Sequence, residues 1–99
     1  MSTAVSVEGE LTVYAVHDLK ARLLAALNEV SLLQIDLSDV SEVDGAGIQL
    51  LLAAQREARQ RGAALRLTSV PPQVADALAL MDLTHEFDTS PAEHAEHSA

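Results

Sequence analysis

The sequence predicts an α/β domain: a single mixed β-sheet of about four to five strands, with three to four helices packed mainly on one side. Three observations carry this. Short runs alternate apolar and polar residues, as in Leu33-Gln34-Ile35-Asp36-Leu37 and Leu65-Arg66-Leu67. Between them lie segments with leucines at helical spacing, such as Leu19, Leu23, Leu24 and Leu27. The two patterns take turns along 99 residues, a length for one domain.

The elements follow in order. Val5/Val7 and Leu11/Val13 alternate on either side of Gly9, which predicts two short antiparallel strands joined by a tight turn. His17 to Val30 reads as an amphipathic helix, with Asp18 placed well for its dipole. Ser31 to Ser38 reads as a central parallel strand. Asp39 to Val43 reads as a polar connection. Asp44 then caps a long helix from Gly45 to about Arg61, stopped by Gly62. Ala63 to Ser69 is a further strand. Pro71 and Pro72 open a helix that runs to about Met81. Leu83 and Phe87 are the last large apolar residues and are placed in a short closing strand. The domain is thus expected over residues 1–88, with a disordered acidic and histidine-containing tail over 89–99.

Composition removes whole classes of function. Fifteen acidic and six basic residues give a net charge of −9, which repels a phosphate backbone or an anionic membrane surface. Aromatics are 2% of the chain, Tyr14 and Phe87, so stacking platforms for bases are nearly absent. The absence of cysteine excludes disulfides, thiolate metal sites and a thiol nucleophile, and fits a cytoplasmic location. The longest apolar run, Leu50 to Ala54, is far too short to cross a bilayer. Residues 1–15 carry Glu8 and Glu10 without a basic segment, so no signal peptide is expected. Neither Gly-x-Ser-x-Gly nor a phosphate-binding Gly-x-x-x-x-Gly-Lys-Ser/Thr loop occurs, so no enzyme activity is expected.

The most informative stretch runs from Leu33 to Leu52. A strand ending in Asp36-Leu37-Ser38, a short connection, and Asp44-Gly45-Ala46-Gly47 opening a leucine-rich helix resemble the STAS domain. That family includes bacterial anti-sigma factor antagonists and the cytoplasmic tails of sulphate transporters. The flanking elements fall where the family would place them. The resemblance implies an interaction module whose partner kinase, itself the anti-sigma factor, phosphorylates a serine at the start of that helix. The usual motif is close to Asp-Ser-Ser-Gly. Here Asp44 and Gly47 match its ends, while Gly45 and Ala46 fall where the hydroxyl residues would be, Ala46 at the phosphoserine. No phosphorylation is therefore expected there. Ser38 and Ser41 are other hydroxyls nearby, off the matched position.

The residues also speak without the resemblance. A helix N-terminus presents free N–H groups, and Gly45, Ala46 and Gly47 would let a partner approach its backbone. The alternative is a tight loop-to-helix entry. Ala46, Leu50, Ala53 and Glu57 share one helix side, where Leu50 and Ala53 form either a partly exposed apolar strip or part of a wide buried face. Asp36, Asp39, Glu42 and Asp44 lack the spacing of a calcium loop and read better as a negative rim selecting a basic partner, so no metal is expected. His85, His94 and His97, with Glu93 and Glu96, read as solvated residues.

The expected function is a non-catalytic protein–protein interaction module in bacterial signalling, without cofactor. It would bind through Ser38, Asp39, Asp44, Gly45, Ala46, Gly47, Leu50 and Ala53. The partner would be an anti-sigma factor or GHKL-type kinase. The alternatives are a STAS subunit docked on the ATPase of an ABC-type lipid transporter, or an accessory protein bound to a chemotaxis component. The chain itself is expected as a monomer or weak dimer.

Overall fold

The computed structural model describes residues 1–91. Its elements are β1 (Ser2–Leu11), α1 (Val16–Ala26), β2 (Leu32–Val43), α2 (Gly45–Gln60), β3 (Ala64–Val70), α3 (Pro72–Leu80), a 3₁₀ turn (Thr84–Glu86) and β4 (Asp88–Pro91). The strands lie side by side in chain order, and every pairing is parallel. Each helix crosses from one strand to the next, and right-handed crossovers of this kind put all three on the same face. Val7, Leu33, Ile35, Leu37, Leu65 and Leu67 point into that face and are buried. They meet Leu19, Leu23, Leu27, Ile48, Leu51, Leu52, Val74 and Leu78 from the helices. The intervening Ser6, Gln34, Asp36, Arg66 and Thr68 form the uncovered face.

The expected α/β fold holds, with four strands and three helices, but three readings are corrected. Residues 2–11 are one strand rather than an antiparallel hairpin, so the sheet is parallel rather than mixed among the described residues. Gly9, at φ 76°, sits within that strand, opposite Val40, at a register shift. The polar stretch 39–43 is the second half of β2 rather than a loop. Ser6 pairs with Asp36 but Glu8 with Asp39, and Gly9 pairs with Val40 but Glu10 with Glu42, so β2 carries an extra residue twice. Each bulge advances the inward phase by one. The apolar positions of β2 therefore fall at 33, 35, 37, then 40, then 43, and simple alternation hides the strand. Side chains satisfy the disturbed backbone: Asp36 Oδ1 accepts Ser38 N–H (2.9 Å), Gly9 O accepts Ser41 Oγ–H (3.2 Å), and Val40 O accepts a Gln73 Nε2–H (3.0 Å).

The third correction concerns the C-terminal end. Asp88–Pro91 forms β4 beside β3, four residues later than the strand expected around Leu83 and Phe87, and inside the stretch read as a tail. An edge strand needs few apolar residues, because its backbone ladder and one anchor suffice. Phe87 is that anchor, buried just before the strand. Gln55 of α2 holds the preceding turn through a hydrogen bond from Nε2 to Glu86 O (2.7 Å). The rest of the expected tail, with His94 and His97, lies outside the described residues.

Candidate functional site

The site forms where β2 runs into α2, at the carboxyl ends of β1 and β2. In open α/β sheets this edge is where partners and ligands find loop ends and helix N-termini together. Asp44 organises it. Its Oδ1 accepts Gly47 N–H (3.0 Å), capping α2, and its Oδ2 accepts Val13 N–H (3.1 Å) from the segment entering α1. Its own N–H donates to Leu11 O (3.2 Å). One carboxylate thus ties the start of α2 to the end of β1. The backbone N–H groups of Gly47, then Val13, and also Ala46 hold its pKa below the usual carboxylate range.

The glycines divide the work. A Cβ on Gly47 would overlap the Leu11 carbonyl oxygen and stand 2.6 Å from the carbonyl carbon. Gly47 is buried, and its smallness serves the packing of α2 on β1, not the approach of a partner. A Cβ on Gly45 would meet nothing within 4 Å, and Ala46 is half-buried beside it. The accessible part of the helix entry is therefore Gly45 and Ala46.

The other expected site residues separate. Ser38 and Asp39 are exposed at the first bulge of β2. Five residues of extended chain, about 17 Å, part Asp39 from Asp44. Leu50 is 7% exposed, so the exposed strip it was to form with Ala53 is corrected to a groove wall. Leu50, Ala53 and Glu57 line a groove of about 320 Å³ between α1 and α2, closed on the other side by Lys20, Leu23 and Leu24. Sequence reasoning missed Val13 and Tyr14, which are 56% and 89% exposed beside the Asp44 anchor. Tyr14 is the only tyrosine, and an exposed aromatic at a turn was the available signal. Of the four carboxylates expected as a rim, Asp39 lies opposite Glu8 and Glu42 opposite Glu10, while Asp36 and Asp44 accept backbone N–H groups. Among the described residues no three acidic or histidine side chains converge as metal ligands, and no helix is long and apolar enough to cross a membrane.

Three solved structures share this fold, each at an identity that speaks for fold alone. A candidate anti-sigma factor antagonist from Thermotoga maritima superposes with a TM-score of 0.81 at 19% identity, over 98% of this chain and 86% of that one. The anti-sigma factor antagonist SpoIIAA of Bacillus, solved unphosphorylated and also phosphorylated, gives 0.74 at 21% for the unphosphorylated form, again over 98% and 86%. A sulfate transporter family protein from Wolinella succinogenes gives 0.68 at 18%, over 93% and 79%. No curated protein matches the chain. The sequence itself matches the family described as Mlab, STAS domain over residues 1–89, and with the strand–Asp44–helix junction in place the chain belongs to the STAS domain family.

Proposed function

We propose that this chain is a non-catalytic interaction module of bacterial signalling, similar in role to an anti-sigma factor antagonist, with a surface made by Gly45 and Ala46 together with Val13 and Tyr14. The observation that carries the reading is the Asp44 anchor. It places two exposed apolar side chains beside a helix entry whose outer residues have almost no side chain. Exposed Val and Tyr fixed by a backbone hydrogen bond offer contact area at low entropic cost. The acidic pairs on β1 and β2 favour a basic rim on the partner. Ala46 offers no oxygen for a phosphoryl group, so the module stays in its binding form unless the partner's own state changes. A phosphate there would bring roughly −1.5 to −2 charges next to Asp44 and Glu42.

The test uses the chain and its Ala46→Glu variant as bait in an extract of the source cell, with captured proteins identified by mass spectrometry. Glu in the first turn suits the helix dipole, so the fold should persist. A GHKL-type kinase or anti-sigma factor is expected with the native bait and at least about tenfold less with the variant. A transporter ATPase or a chemotaxis component in its place would reject the signalling partner named here, and capture insensitive to Ala46→Glu would reject the surface. Incubated with ATP, the captured kinase should label Ala46→Ser and leave the native chain unlabelled. Label on the native 38–47 peptide would refute the missing switch.

A further inference from the structure

We infer that two copies of this chain associate through their helical layers, the exposed Leu80 of each entering the α1/α2 groove of the other. The inference does not rest on the docking surface above.

Two features of the helical layer lack a partner within the chain. The first is on α3. Leu80 is 88% exposed and lies with Ala79 and Asp76 on the outer side of that helix. Asp76 precedes it by one turn, so an apolar knob has a carboxylate beside it. The second is the groove. Lys20 and Leu24 on α1 and Ala53 and Glu57 on α2 surround a hole floored by Leu23 and Ala54. Four residues spaced in this way on two helices form the kind of hole that takes one side chain from a third helix. Glu57 is held by Arg61 (3.0 Å), while neither Lys20 nor Asp76 joins an ion pair among the described residues.

The spacings match. Each helix begins after a strand ends, so α1, α2 and α3 start at the same edge of the sheet and run the same way. Lys20 and Leu24 are the fifth and ninth residues of α1, Asp76 and Leu80 the fifth and ninth of α3, and Ala53 the ninth of α2. At about 1.5 Å per residue these pairs stand at the same two heights, about 6 Å apart. A two-fold axis along α2, parallel to the helices, keeps every height and exchanges the α1/α2 groove with α3. It sets Leu80 of the second copy over the hole between Leu24 and Ala53, and Asp76 of the second copy beside Lys20. The pair of contacts forms twice, and the association closes at two copies. Knob, carboxylate, hole and ammonium thus occur on one chain, with the same spacing and in the same order.

Charge admits a second copy on this face. Of the six basic residues, Lys20, Arg22, Arg56 and Arg59 lie on α1 and α2, and Arg61 caps α2. Of the fifteen acidic residues, only Asp18 and Glu57 lie on those helices, so the net charge of −9 resides elsewhere. Gly45, Gln49 and Ala53, on the outer side of α2 along the axis, are small or uncharged. Arg56 on the same side approaches its counterpart, and this like-charge contact keeps the pairing weak.

Sedimentation equilibrium of the full chain, from about 10 µM to about 1 mM, tests this. The shared area belongs to the small, weak class, so the mass should rise from monomer to dimer within that range and stop there. Leu80→Ala should weaken the dimer at least about tenfold with the circular dichroism spectrum kept, because the side chain is exposed in the single copy. Lys20→Glu and Asp76→Lys should each weaken it, and the two together should restore it. A monomer throughout, which leaves knob and hole to foreign partners, overturns the inference. So does a mass that climbs past the dimer, a dimer indifferent to Leu80→Ala, or a charge swap without rescue.

Discussion

Gly45 and Gly47 lie two positions apart in the first turn of α2, yet the same substitution is expected to move them in opposite directions. Gly45→Ala fills open space and removes unfolded-chain freedom, so stability should rise by about 0.5 kcal/mol. Gly47→Ala gains about 1 kcal/mol of helix propensity but drives a methyl into the Leu11 carbonyl, and overlap with backbone wins. A net loss of about 3 kcal/mol or more in urea unfolding is expected. Asp44 makes a prediction in pH. Its folded pKa is lowered, so it keeps its charge where an unfolded aspartate, near about 4, takes up a proton. Its contribution is present in full above that value and is lost as pH falls through the lowered folded value. Asp44→Asn keeps one acceptor for Gly47 N–H and turns a donor toward Val13 N–H, and does not titrate. The stability gap between native chain and variant should stay open at neutral pH and close in acid, measured by unfolding between about pH 7 and pH 3.

At the scale of elements, the bulged half of β2 depends on side chains that replace ladder bonds. Asp36→Ala would leave Ser38 N–H without its acceptor and should cost about 1 kcal/mol, with faster amide exchange at Ser38 as the local readout. The turn after α3 shows the reverse. Asp82 adopts φ 57° and sets a negative charge at the negative end of a helix, so Asp82→Gly should raise the melting temperature by a few degrees. These two elements also explain what the sequence could tell. The three helices were legible because their apolar spacing is uninterrupted, and because Asp44, the cap of α2, and Pro72, the first residue of α3, are local signals. β2 beyond Ser38 was not, since two bulges break the period that alternation relies on. Gly9 misled for the same reason: a left-handed glycine marks a hairpin turn and a strand irregularity equally well. In the site, Asp44, Gly45, Ala46 and Gly47 were legible as a cap motif. Val13 and Tyr14 join them through a contact 31 residues apart in sequence for Val13, which no local pattern carries.

For the whole molecule, stability rests on one layer of helices over one face of the sheet. Leu51 and Leu67 are completely buried between those layers. Leu51→Ala should lower unfolding free energy by about 3 kcal/mol, against a fraction of that for Leu80→Ala on the exposed side of α3. Calorimetry or urea titration of both variants measures the difference. The sequential order of the strands has a kinetic meaning. Each new strand docks beside the one made just before it, so no segment waits for a distant partner and none must be inserted between two others. A chain emerging from the ribosome can complete β1–α1–β2 before β3 exists, then extend the sheet one unit at a time. Pulse-labelled exchange during refolding should show amides of β2 protected before those of β4. Because β4 is added last and at the margin, its departure is also the smallest unfolding step open to the native chain.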